Sequence, residues 1–146
     1  MMLSGSVMPA YHSSDFVQIT VPEISAKSGT TTTVVVAVNV QNGYHIQAHT
    51  LSDEFLVPTA IEVRGNQEIM LEEQRFPEGK SLILAGSPDP LYVYDGHVEV
   101  RLVVHVDEVA PKGRTGLRAT LQYQACDTKS CLSPRTIDFV IPIEVL

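Results

Sequence analysis

The residues best equipped for chemistry are the two cysteines, Cys126 and Cys131, in the segment Tyr123-Gln-Ala-Cys-Asp-Thr-Lys-Ser-Cys-Leu-Ser-Pro134. A thiol pair this close can cycle between dithiol and disulfide. Exchange proceeds when a thiolate attacks a disulfide sulfur along the S–S axis. It needs one accessible sulfur, a nearby resolving thiol and control over the thiolate fraction. The pair lies between one alternating stretch that ends at Tyr123 and another that starts near Ile137. A hairpin-like connection there can bring the Cα atoms into the range of about 4.4–6.8 Å that a disulfide spans. If the alternation of Leu121 and Tyr123 continues, Ala125 points inward and Cys126 outward. An outward cysteine is open to another protein, whereas one kept for packing should face the core. Pro134 interrupts the next ladder, so parity does not extend to Cys131. Asp127 disfavours a thiolate at Cys126 by like charge, and Lys129 pulls the other way.

From the residues alone, three readings of the pair stay open. A passive disulfide would close a short loop and contribute roughly 2 kcal/mol in the chain-entropy model, a modest amount for a chain of this size. The second reading is redox exchange. The third is a metal site, since a four-residue gap is compatible with zinc and His45 and His49 share a face with Gln47 if Tyr44–His49 is a strand. Surface-strand histidines are the simpler reading of His45 and His49, and His97 and His105 lie on the polar face of their stretch. Tyr123 falls on an inward face, with its hydroxyl still in reach of the dithiol. Tyr94, before the Asp95-Gly96 turn, divides between packing and lining the site. Asp53-Glu54 lacks a positioned partner for acid–base work and reads as a solvated loop. Nucleophilic serine motifs and phosphate-cradling glycine loops are absent.

The elements that must position this pair are strands. Val17, Ile19 and Val21 alternate with polar residues, and Val34, Val36, Val38 and Val40 share a face of a β-branched run. Val98 to Val106, Leu117 to Tyr123 and Ile137 to Val145 repeat the period of two. Turn signals at Ser28-Gly29, Asn42-Gly43, Gly65-Asn66, Pro77-Glu78-Gly79, Asp95-Gly96 and Pro111-Lys112-Gly113 separate them. Between Leu51 and Leu91 the pattern weakens, with Pro58, Pro77, Pro88 and Pro90, and predicts short strands and loops. The fold expected is all-β, an immunoglobulin-like sandwich of two antiparallel sheets.

The chain has 146 residues, which points to one domain, able to bury a core without staples. An apolar fraction of 44% and a charged fraction of 18% are those of a globular chain. The net charge is −7 and no Lys/Arg cluster interrupts it, which argues against a nucleic-acid partner. No apolar run is long enough to span a membrane as a helix. Residues 1–14 read as a flexible leader, or as the remnant left once a signal peptide is removed, and residues 15–146 as the domain.

The segment Tyr123-Gln-Ala-Cys-Asp-x-x-x-Cys-Leu-x-Pro resembles the active-site segment of the N-terminal periplasmic domain of the DsbD thiol:disulfide interchange family. Gly43-Tyr44-His45-Ile46-Gln47-Ala48, with Val57-Pro58-Thr59 after it, resembles a second segment of that family. Phe76-Pro77 and Val93-Tyr94-Asp95-Gly96 match weaker positions. The resemblance implies a periplasmic, protein-disulfide-reducing domain of immunoglobulin-like fold that uses no cofactor beyond its cysteines. It implies a thioredoxin-like electron donor, supplied through a membrane domain of the full-length protein or a separate one. The acceptors it implies are periplasmic disulfide-bearing proteins, such as isomerases or cytochrome-maturation factors. By position, the resemblance implies that Cys131 meets partners and Cys126 resolves, and it suggests that His45 lines the site. Tyr123, Asp127 and Tyr94 are expected, from their own placement in the sequence, to wall the site or tune it. The chain departs from the best-studied members by one residue fewer between the cysteines. The stretch matching their cap loop, Ala85 to Leu91, has no aromatic residue at its tip.

Overall fold

The computed structural model describes residues 10–14, 16–50, 55–83 and 89–146, with the backbone alone for 10–12 and 14. Every element among them is a strand. One sheet has the order β1 (Ala10–Ser14), β2 (Val17–Val21), β4 (Thr31–Val40), β10 (His97–Val106), β7 (Ile69–Arg75). The other has the order β3 (Ile24–Ala26), β13 (Arg135–Val145), β11 (Gly113–Tyr123), β6 (Ala60–Arg64). The pairings are antiparallel except β3 on β13, which is parallel. The inward residues of both sheets fuse into one core, with Val34, Val36, Val100 and Leu102 from the first and Leu117, Leu121, Phe139 and Ile141 from the second. The alternating burial of β4, β10, β11 and β13 is the half-buried pattern the sequence predicts. Each such side chain stabilises the fold by about 1.5–3 kcal/mol through burial. The fold is an immunoglobulin-like β-sandwich.

A third, smaller sheet positions the cysteines: β12 (Ala125–Cys126), β5 (His45–Gln47), β9 (Leu91–Tyr94), β8 (Lys80–Leu82). Three of its strands continue long strands of the sandwich. After β4 a turn closes through Tyr44 N–H to Gln41 O at 3.1 Å, with Gly43 at φ 88°, and the chain re-emerges as β5. β9 leads into β10 through Gly96 at φ 63°, and β11 leads into β12 past Gln124. Strands from both main sheets therefore meet at one end of the sandwich, in a site held by the core.

Two expectations change. Ala10–Ser14, read as part of a flexible leader, pairs with β2 over its whole length as an edge strand. The two-sheet description omits the third sheet, whose strands of two to four residues are too short for alternation to reveal. Residues 1–9, Asp53 and Glu54, and residues 85–88 of the expected cap stretch lie outside the described residues.

Candidate functional site

Gln124 makes the corner from which the cysteine segment hangs. Its carbonyl accepts from Gln47 N–H at 3.2 Å. Its side-chain Oε1 accepts from Val57 N–H at 2.8 Å, and its Nε2 donates to Leu132 O at 3.1 Å. The chain leaves the β11 ladder there and pairs with β5 instead, Ala125 against Ile46 and Cys126 against His45. A tight hairpin comes next. Leu132 N–H donates to Ala125 O at 2.8 Å, and Asp127 N–H donates to Ser130 O at 2.9 Å. Cys126 and Cys131 lie between these bonds as a non-hydrogen-bonded antiparallel pair, the arrangement that brings facing side chains closest. Their Cα atoms are 3.9 Å apart and their sulfurs are joined in a disulfide.

The loop between the sulfurs is held by Asp127. Its Oδ1 accepts from Lys129 N–H at 2.7 Å and Ser130 N–H at 2.8 Å, the short-range bonding that aspartate offers a turn. The Ser130 and Lys129 amides, more than the Lys129 charge, hold the Asp127 carboxyl below its ordinary range. The carboxylate is thus occupied with the turn backbone.

The two sulfurs differ in access. Cys126 is 0% exposed, whereas Cys131 is half-buried on the outer arm of the hairpin. The expectation of an outward Cys126 is therefore wrong. Parity counted from Tyr123 fails because the chain changes sheets at Gln124. In its new sheet both Ala125 and Cys126 are covered.

Two side chains of β5 share the Cys126 side of the small sheet. Gln47, 1% exposed, donates from Nε2 to Cys126 Sγ at 3.2 Å. Its backbone is fixed on both sides, since Thr59 Oγ1 donates to Gln47 O and Gln47 N–H donates to Gln124 O. His45, opposite Cys126, is 8% exposed, so the reading of it as a surface histidine is also overturned. Burial lowers its pKa, against weaker upward pulls from Asp95 and Asp127. His45 Nε2 and Gln47 Oε1 are buried without a hydrogen-bond partner among the described residues.

The remaining candidates separate. Tyr123 is fully buried in the sandwich core. Tyr94 is buried too, and its hydroxyl donates to Pro77 O at 2.7 Å and accepts from His49 N–H at 3.2 Å. Desolvation raises the Tyr94 pKa, opposed by the His49 amide. Its ring is thus packed in the core while its hydroxyl ties β9 to neighbouring loops. His49 stacks on Phe76 with centroids 4.0 Å apart, and its Nδ1 meets Thr59 O at 2.9 Å. Among the described residues, no three His, Cys, Asp or Glu side chains converge as a metal site. A groove runs beside the hairpin between Tyr44, His45, Leu82, Ile83, Asp95 and Thr128.

Gln47 and Gln124 carry roles that sequence reasoning did not assign. For Gln47 the signal was its shared face with His45. For Gln124 no local signal marks a change of sheet.

The family model of the N-terminal domain of the thiol:disulfide interchange protein DsbD matches residues 16–141. Among solved structures, the N-terminal periplasmic domain of ScsB from Proteus mirabilis is similar with a TM-score of 0.57 at 15% identity. The match covers 90% of this chain and 47% of that one, so the chain spans about half the length of that relative. The reduced DsbD n-terminal domain of Neisseria meningitidis matches at 18% identity and a TM-score of 0.45, over 80% of this chain and 78% of that one. No curated protein sequence matches. With the family match spanning most of the chain, from before β2 into β13 and across both cysteines, this protein belongs to the DsbD N-terminal domain family of thiol:disulfide interchange proteins.

Proposed function

We propose that this domain is an electron relay acting as a protein-disulfide reductase, with Cys131 as the sulfur that meets partners and Cys126 as the resolving sulfur. The observation that carries the reading is the unequal access of two bonded sulfurs on one hairpin, Cys126 covered and Cys131 half-buried. A thiolate from a thioredoxin-like donor attacks Cys131 Sγ, and the Cys131–Cys126 bond breaks with its electron pair leaving on Cys126. The donor's second thiolate then attacks its own sulfur in the mixed disulfide, which releases Cys131 as a thiolate and leaves the donor oxidised. In the second half-cycle Cys131 attacks the disulfide of an acceptor, and Cys126 resolves the resulting mixed disulfide. Two electrons pass in each half-cycle, and the cysteines serve without another cofactor.

A periplasmic address fits this reading. The similar ScsB and DsbD domains include one described as periplasmic, and disulfide chemistry persists in oxidising compartments. The acceptors are accordingly periplasmic disulfide-bearing proteins, including those of cytochrome maturation. The donor is a thioredoxin-like protein or domain, fed from a membrane domain or a separate protein.

Trapping tests the roles. Cys126→Ser should accumulate a mixed disulfide through Cys131 with a thioredoxin-like protein, and Cys131→Ser should not trap through Cys126. Failure of Cys126→Ser to trap any thioredoxin-like partner would refute the relay. Trapping through Cys126 alone would reverse the assignment.

A further inference from the structure

We propose that Gln47 is a catalytic residue of this exchange: its amide N–H holds the charge that develops on Cys126 when the disulfide opens. The inference rests on the relay reading and adds a group to it. A disulfide sulfur carries no hydrogen, so Cys126 Sγ can only accept, and the group facing it at 3.2 Å is the Gln47 amide nitrogen. To a neutral disulfide sulfur this bond is weak. To a thiolate it becomes a charge-assisted hydrogen bond, about twice as strong as a neutral one. The interaction therefore grows as the S–S bond breaks with its electron pair leaving on Cys126, which is the condition for lowering a barrier.

Burial makes the contact matter. Cys126 has no exposed surface, so water cannot solvate a thiolate formed there, and Gln47 is itself 1% exposed. The donor is also preorganised. Thr59 Oγ1 and the Gln124 carbonyl fix the Gln47 backbone from both sides, and the Gln47–Val93 pairing holds it in register. Cys131, on the outer arm, has no such donor among the described residues. The same amide thus favours Cys126 as the leaving sulfur and Cys131 as the one attacked. The charged and titratable groups around Cys126 are His45 across the strand pair, Asp127 and Lys129 in the hairpin loop, and Asp95 acting on His45. Substitutions at Gln47 leave all of them in place.

The test is a thiolate titration of Cys126, monitored by absorbance, in a Cys131→Ala background that cannot form the disulfide. Against that parent, Gln47→Leu removes the donor at similar volume, and Gln47→Asn keeps the amide but draws it out of reach. Both should lower the acid dissociation constant of Cys126 by roughly tenfold, the lower end expected for a hydrogen bond to a charged group. With both cysteines present, either substitution should shift the equilibrium with a small dithiol toward the oxidised protein. An unchanged titration in a folded Leu or Asn variant would overturn the role. The readout is independent of partner exchange. A shifted titration with no trapped partner would defeat the relay alone, whereas trapping with an unshifted titration would defeat Gln47 alone.

Discussion

His45 and Gln47 each bring a polar atom with no hydrogen-bond partner among the described residues to the side of the small sheet that holds Cys126. Buried unpaired groups are costly, about 1–3 kcal/mol each, and they concentrate where function requires them. His45 makes the cost visible through pH. Its pKa is lowered in the folded state, mainly by burial, so below the ordinary histidine range the unfolded chain binds a proton that the folded chain resists. Protonation of His45 therefore costs no stability above about pH 6.5, and stability is lost as pH falls from there through its lowered folded value. Urea unfolding of the wild type and of His45→Leu at pH 7.5 and pH 5 should show the wild type losing more stability between the two pH values than the variant. Parallel loss in both proteins would remove His45 as the origin. At this scale the cysteine pair was legible from spacing alone. The donor to its sulfur was not, because Gln47 reads as one more polar residue until β5 is known to be buried on both faces.

At the scale of elements, alternation was a good guide where strands are long and half-buried, as in β4, β10, β11 and β13. It failed in the small sheet for physical reasons. β12 and β5 are covered on both faces, and β9 has one exposed position, so no period of two is written into them. The outward placement of Cys126 failed for the related reason that Gln124 transfers the chain from one ladder to another. What packs this sheet against its neighbours is close approach. A Cβ added at Gly79 would lie 2.6 Å from Ala48 Cβ, 3.0 Å from Tyr92 Cβ and 3.1 Å from Val93 N. None of these is the free end of a flexible chain, so Gly79→Ala should force the start of β8 away from β9 and from Ala48, just past β5. The expected cost is about 1–3 kcal/mol, the usual range for overpacking, read as a lower denaturant midpoint at unchanged slope. Gly116→Ala is the control. The Cβ there would meet Val140 Cγ1 at 2.6 Å, but Val140 is 43% exposed and can rotate away. A loss at Gly116 equal to that at Gly79 would count against close approach as the reason for glycine in the small sheet.

For the whole molecule, the proposed cycle requires that both redox states stay folded, and most of the apolar core lies away from the cysteine pair. The contiguous apolar cluster is built mainly from the two main sheets, with residues such as Val36, Leu102, Leu121, Phe139 and Ile141. It reaches the small sheet at Ile46, Tyr94 and Ala125 and includes neither cysteine, although Cys126 is fully buried beside it. The disulfide closes a loop with a sequence separation of only 5, so in the chain-entropy model it contributes roughly 2 kcal/mol. A disulfide closing a long loop would contribute more, and its reduction would threaten the fold. The backbone around the pair is tied independently of the S–S bond by the Leu132–Ala125 and Asp127–Ser130 hydrogen bonds, by the Asp127 turn and by the Gln124 corner. Reduction should therefore leave the sandwich intact, lower the melting temperature by roughly 5–10 °C, and confine amide chemical-shift changes to the hairpin and to facing residues of β5. Calorimetry with and without a dithiol reductant, paired with amide spectra of both states, would check this. Global unfolding on reduction, or shift changes spread through β4 and β13, would mean that the pair holds the fold together. That outcome would return the disulfide to a structural role, the reading that its short loop argues against.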